Sequence, residues 1–188
     1  MKIAKVRNVK TPSRANSNDA GIDFYIPEFD SKFIEDLRAK NPGIKIISDE
    51  NGKAKTIYLK PQERILIPSG IHVNFTKEAK EFNYLIAERN LYGNSVGLAL
   101  IAHNKSGVAS KKGLDRLAEV VDESYQGEVH INVVNTGYDT IKLEAGEKLI
   151  QFVLIPVIYS TIEETELKDL YTEISNRGAN GFGSTDKK

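Results

Sequence analysis

The segment Val120-Val-Asp-Glu-Ser-Tyr-Gln-Gly-Glu-Val places Asp122 where an apolar run ends, Tyr125 three residues on and Gly127 at a turn position. An aspartate leaving a strand can act as general base on a water, or it can cap the turn that follows, with the tyrosine simply packing. Upstream, Asn104-Lys-Ser-Gly-Val-Ala-Ser-Lys-Lys-Gly follows the apolar stretch from Val96 to Ala102 and combines a hydroxyl, ammonium groups and glycines. Such a run can hold phosphate or form an ordinary polar turn. The third unusual segment is Arg177-Gly-Ala-Asn-Gly-Phe-Gly-Ser-Thr, in which three glycines free the backbone while Arg177, Ser184 and Thr185 offer phosphate donors. Glycine-rich termini are often only flexible, but Phe182 has little reason to be there unless it packs on something.

The elements that must position these groups read as strands. Apolar segments are short, rich in Val, Ile and Tyr, and punctuated by Pro and Gly, which is an all-β pattern. Strands are expected from Lys2 to Val6, Ile22 to Ile26, Ile65 to Phe75, Tyr84 to Glu88, Val96 to Ala102, Ala118 to Val121, Val129 to Asn135, Thr140 to Leu143 and Lys148 to Val157. Two stretches look inserted, at about 30–58 and 76–95. The first predicts one short helix from Ser31, with Phe33, Ile34 and Leu37 on one face and a Pro42-Gly43 stop, then a hairpin turning at Asn51-Gly52. The second is irregular apart from its expected strand. The region from Glu163 to Ile174 has mixed helical character.

Composition narrows the partners. Lys and Arg number 26 and Asp and Glu 26, so the chain lacks the basic excess of a protein that grips a nucleic-acid backbone. Cysteine is absent, which excludes disulfides and thiolate metal sites and fits a reducing compartment. His72, His103 and His130 stand singly in β-type patterns, as strand or edge histidines do more often than metal ligands. No apolar run approaches the roughly 20 residues of a membrane span, and a secretory-type apolar leader is missing from the N-terminal segment. The expectation is a soluble cytoplasmic protein forming a single domain over residues 1–188.

In order along the chain, these segments resemble the five motifs of the trimeric dUTPase family. Asp19-Ala-Gly-Ile-Asp-Phe is similar to the first, Asn104-Lys-Ser-Gly-Val-Ala to the second, and Val121-Asp-Glu-Ser-Tyr-Gln-Gly-Glu-Val to the third. Gly146-Glu-Lys-Leu-Ile-Gln-Phe is similar to the fourth and the Arg177 run to the fifth. The resemblance implies a jelly-roll-like β-barrel with a Gly-rich C-terminal arm at 175–188, and a homotrimer with active sites shared between subunits. It implies hydrolysis of dUTP to dUMP and pyrophosphate, which limits uracil in DNA and supplies dUMP for dTMP synthesis. Asp122 would activate the water that attacks the α-phosphorus, with Mg²⁺ held by the triphosphate and waters rather than directly by the protein.

The same resemblance assigns substrate contacts to Lys105, Ser106, Gly107, Leu117, Tyr125, Gln151, Arg177, Phe182, Gly183, Ser184 and Thr185. Tyr125 would exclude a 2′-hydroxyl, a backbone hairpin around Leu114 to Leu117 would read uracil, and Phe182 would stack on the base. Asp23 would either support the metal's waters or order neighbouring basic groups. The chain departs from the family pattern at Asn104-Lys105, where Pro-Arg is usual, at Glu119, where Gly is common, and at Ser124, Asn180 and Asp186. Alternatives on the same architecture are a dCTP deaminase, a bifunctional deaminase and dUTPase, or a regulatory binding protein.

Overall fold

The computed structural model describes residues 1–88, 95–173 and 175–179. Its largest sheet runs in the order β2 (Ile22–Tyr25), β12 (Lys148–Tyr159), β7 (Ser95–Asn104) and β9 (Val120–Val121), all antiparallel neighbours. A second sheet sets β10 (His130–Asn135) between β5 (Arg64–Pro68) and β8 (Leu114–Arg116). A third has the order β11 (Ile141–Leu143), β4 (Ala54–Leu59), β3 (Lys45–Ser48), and β1 (Lys2–Lys5) pairs with β6 (Ile71–Asn74). The all-β expectation holds, although the sheets are not closed into a continuous barrel among the described residues.

Period-two alternation explains which side chains meet. Along β10, Ile131, Val133 and Asn135 are buried while His130, Asn132 and Val134 are half-buried. The inward set joins Ile57, Leu59, Ile65, Ile67, Leu100 and Leu143 in one core, where Phe24 and Phe152 pack with ring centroids 4.6 Å apart and tilted by 52°.

The segment expected as a first insertion folds as its pattern indicates. Helix α1 (Ser31–Lys40) buries Phe33 and Leu37 completely, and its cap is Asp30, which accepts from the Phe33 N–H at 2.8 Å. Asn41 closes it and donates its carboxamide to the carbonyls of Leu37 and Leu66 while accepting from Leu66 N–H at 2.7 Å. The helix is thereby stitched to β5. The hairpin is present as β3 and β4, and β4 continues into the core through Ile57 and Leu59.

Four expectations are corrected. The run from Ile65 to Phe75 is two strands in different sheets, because the chain turns at Ser69-Gly70. The strand expected from Tyr84 to Glu88 is the end of a helix, α2 (Thr76–Glu88). Its aromatic and branched residues look strand-like, but Ala79, Phe82 and Ile86 recur at spacings of three and four on the less exposed side, against β7, leaving Tyr84 and Leu85 exposed. Lys77 and Glu81 form an i,i+4 ion pair on its outer side. Finally, Leu114 to Leu117 is not half of a paired hairpin: β8 joins β10, β9 joins β7, and the intervening residues bridge the two sheets. Of the strand expected from Ala118, Val120–Val121 forms β9, and the Glu119 carbonyl before it accepts from Ala102 N–H at 2.8 Å.

Candidate active site

One group of site residues gathers where β2, β12 and β7 carry their polar ends. Asp23 is 3% exposed and lies between two ammonium groups. Lys105 Nζ donates to its Oδ1, and Lys148 Nζ donates to Oδ2 at 2.8 Å. Burial alone would lift the Asp23 pKa, but hydrogen bonds and charge from Lys105 and Lys148 outweigh it and hold the carboxylate below its ordinary value. The same bond raises the pKa of Lys148. Of the two roles open to Asp23, the structure supports the ordering of basic groups: both carboxylate oxygens are engaged by nitrogen donors.

Gln151 stands opposite Asp23 on one side and His103 on the other, and its Nε2 donates to the Asn104 carbonyl at 3.1 Å. Its carboxamide lies across Gly21, where a Cβ would overlap it, so the glycine of the first motif makes room for the glutamine of the fourth. Ser106 and Gly107 open α3 (Ser106–Lys112), a short helix where a polar turn was one expectation. Their N–H groups precede the first intrahelical bonds. Asn104 donates to Asp115 at 2.6 Å and accepts from Arg116 N–H at 3.1 Å, and Glu119 pairs with Arg116 at 2.9 Å. These contacts account for the unusual Asn104 and Glu119 as partners of the segment that follows α3.

The second group lies beside the middle of β7. Asp122 is exposed just beyond β9, and Tyr125 N–H donates to its carbonyl at 3.1 Å. The Tyr125 ring folds back over Gly127 and its hydroxyl donates to the Glu128 carbonyl at 3.1 Å. A cleft of about 160 Å³ runs between Ala118, Val120, Asp122, Tyr125 and Phe152. Leu117 is 47% exposed, and its N–H is already donated to the Asn132 carbonyl at 3.0 Å.

The two groups do not meet on one copy. Val121 pairs with Leu100, so Asp122 follows on beside Ala99, six positions before Lys105. At the rise of an extended strand, those six positions span about 20 Å.

Comparison with known proteins agrees with this architecture. The dUTPase family model matches residues 97–186. A deoxyuridine 5′-triphosphate nucleotidohydrolase of Acinetobacter baylyi is 32% identical over 136 residues, covering 71% of this chain and 76% of that protein. The chain belongs to the dUTPase family. The corresponding protein of Acinetobacter baumannii is 39% identical over 100 residues, 52% of this chain, and the match spans 64% of that relative's length. Among solved structures, a variant dUTPase of Staphylococcus bacteriophage 80alpha with dUpNHpp superposes with a TM-score of 0.65 at 19% identity, covering 98% of this chain and 96% of that one. The dUTPase of S. aureus phage phi11, known for a species-specific insert, gives 0.58 at 18% identity, covering 90% and 98%. Both likenesses concern the fold.

Within this dUTPase-family chain, the structure brings Asp23, Lys105, Ser106, Gly107 and Gln151 to one end of β7 and Asp122 beside its middle, with Tyr125 in the loop that follows. Lys105, expected among the phosphate donors, turns instead to Asp23. Arg177 is exposed, beside a turn in which Gly178 N–H donates to Ser175. Phe182, Gly183, Ser184 and Thr185 lie outside the described residues. Three participants were not singled out from sequence: Lys148, Arg7 and Glu128. The strand register that sets Lys148 near Asp23 is a tertiary fact, as is the approach of Arg7 to Glu128 across 121 positions of chain.

Proposed function

We propose that this chain hydrolyses dUTP to dUMP and pyrophosphate in a homotrimer whose active sites are shared between copies. The separation along β7 carries the shared site. A general base must approach within about 3–4 Å of the water it activates, and that water must touch the phosphorus it attacks. Asp122 and the expected phosphate contacts of Ser106, Gly107 and Gln151 are too far apart on one copy for that. A second copy has to bring Asp122 and Tyr125 to the end of β7 that holds Gln151. Exposed apolar side chains, Val120, Ile158 and Tyr159 among them, supply surface for such a contact.

In the assembled site, Asp122 accepts a proton from water as the water oxygen bonds to the α-phosphorus. The bond from that phosphorus to the bridging oxygen breaks, and pyrophosphate leaves. The Tyr125 ring lies beneath the deoxyribose and fills the space a 2′-hydroxyl would need. Uracil enters the cleft beside Ala118 and Val120, contacting backbone other than the Leu117 N–H. Arg177, Ser184 and Thr185 close on the γ-phosphate while Phe182 stacks on the base and Gly183 lets the backbone approach.

Bound with the triphosphate, Mg²⁺ would offset part of its negative charge. A phage phi11 dUTPase carries a structural Mg(II) ion. In this chain Asp23 already receives two ammonium groups, which does not suit it to ligate an ion directly. A cytoplasmic location belongs to this reading; no helix among the described residues is long and apolar enough to cross a membrane. The names of the relatives favour the hydrolase over a deaminase or a purely regulatory scaffold.

The test is pyrophosphate release and nucleotide product from the purified chain with Mg²⁺, offered dUTP, dCTP, dTTP and UTP side by side. Release confined to dUTP, yielding dUMP, is the expected result. Conversion of dCTP would replace this reading by the deaminase, and absence of any turnover by the binding protein.

A further inference from the structure

The insertion helix α1 reaches the loop that carries Asp122 and Tyr125 through a chain of short, charge-assisted contacts. Asp36, on α1, accepts from Arg7 Nη2 at 2.6 Å. Arg7 in turn grips Glu128 with both ends of its fork, Nε to Oε1 at 2.7 Å and Nη2 to Oε2 at 3.0 Å. The Arg7 side chain is only 8% exposed, and α1 holds it a second way, because the guanidinium carbon sits 5.9 Å from the Phe33 ring centre. Glu128 Oε1 also accepts from Gly70 N–H at 2.6 Å. The carboxylate is therefore fixed by two elements at once.

Glu128 passes that order to the site through its backbone. Its carbonyl accepts from the Tyr125 hydroxyl at 3.1 Å and from His130 Nδ1 at 2.8 Å. A carbonyl can only accept, so the Nδ1 of His130 carries the proton; burial, the largest influence, lowers the pKa of this ring and favours its neutral form. The loop is thus anchored at one end by β9 pairing to β7 and at the other by Glu128, with Asp122 and Tyr125 between.

We propose that Asp36 is a positioning residue for the Asp122 to Tyr125 loop, acting through Arg7 and Glu128. This rests on the dUTP-hydrolysis reading above. A buried guanidinium that loses one of two carboxylates keeps its charge but loses the contact that fixes its plane, and its hold on Glu128 loosens. The insertion thereby serves the reaction as well as the surface. Arg7 supports the linkage from the other direction, since its hydrogen bond, the largest influence on Asp36, holds that carboxyl below its usual range.

The experiment compares wild type, Asp36→Ala, Asp36→Glu and, as a control for charge on the same helix, Glu35→Gln. Amide hydrogen exchange is read by peptide, and kcat/KM is measured for dUTP and UTP. We expect Asp36→Ala to speed exchange within 122–130 by about tenfold, the loss of one charge-assisted hydrogen bond, while peptides of β2 and β12 keep the wild-type rate. The preference for dUTP over UTP narrows by a similar factor, Asp36→Glu restores much of both, and Glu35→Gln changes neither. Unchanged exchange in 122–130, a uniform rise across the chain, or an unchanged dUTP preference in Asp36→Ala would each overturn the positioning role. Local loosening in a protein whose wild type turns over no deoxyuridine nucleotide would sustain the linkage from Asp36 to the loop and reject the dUTP reading instead.

Discussion

The ring of Tyr125 occupies the space into which a side chain on Gly127 would project, and its hydroxyl reaches past that glycine to the Glu128 carbonyl. The glycine is a condition for the placement of the aromatic platform. Gly127→Ala should therefore push the ring aside while disturbing the core little, since Tyr125 is 44% exposed. We expect the melting temperature to stay within a few degrees of wild type and kcat/KM for dUTP to fall roughly tenfold, with UTP losing less. Tyr125→Ala sets the scale. A Gly127→Ala enzyme with the wild-type preference for dUTP would remove the ring from sugar selection.

Asp122 differs from Asp23 in having, among the described residues of a single copy, neither an ion-pair partner nor a buried environment: it is exposed beyond β9, beside the cleft that holds Tyr125. Asp122→Asn keeps the shape and removes the proton acceptor. Turnover of dUTP should drop by about 10² to 10⁴ while dUTP affinity, read by calorimetry, stays close to wild type. Turnover near the wild-type rate would take the base role away from Asp122.

Much of this was legible along the chain because it depends on local pattern. The alternation of Ile131, Val133 and Asn135, the Phe33 and Leu37 spacing of α1, and the Asn51-Gly52 hairpin were decided by residues close in sequence. The motif that carries Asp122 and Tyr125 was legible as composition at a strand end, and Gln151 through the resemblance of Gly146-Glu-Lys-Leu-Ile-Gln-Phe to the fourth family motif. What escaped was tertiary. Tyr84-Leu-Ile has strand-forming side chains, and the packing of Ala79 and Phe82 on the core makes it helix instead. Lys105 carries the right charge for a phosphate, and only the register of β2 against β12 and β7 reveals Asp23 waiting for it. Nothing near Arg7 in sequence hints at Glu128.

The Asp23 cluster gives a pH dependence whose sign is fixed. Its folded pKa lies below the unfolded value of about 3.9, so ionised Asp23 contributes stability that is fully present above that value and lost as pH falls through the folded pKa. Asp23→Asn leaves Lys105 and Lys148 without a counter-charge, and because both ammonium groups keep partial contact with water it should cost on the order of 1–2 kcal/mol at neutral pH. It should also flatten the acid limb of a plot of urea midpoint against pH. The limb will not vanish, because Asp36, Glu78 and Glu128 are depressed as well. Superimposable acid limbs for wild type and Asp23→Asn would show that the carboxylate does not draw stability from its two lysines.

Separation of the two residue groups along β7 makes a sharper demand, on assembly. If each site takes Asp122 from one copy and Gln151 from another, two variants that are each inactive can repair one another. Homotrimers of Asp122→Asn lack the base in every site, and homotrimers of Gln151→Ala lack a phosphate contact in every site. Denaturing the two together at equal amounts and refolding them yields mixed trimers. Random mixing pairs an intact Asp122 with an intact Gln151 in roughly a quarter of the sites of a cyclic trimer. Activity should then rise to about a quarter of a wild-type sample refolded alongside, whereas each variant refolded alone stays inactive. Sites complete within one copy would show no such recovery, because every chain in the mixture carries one defect. That result would overturn the shared site and require Asp122 and Gln151 to meet by a rearrangement of β7 that its pairing with β9 and β12 does not permit.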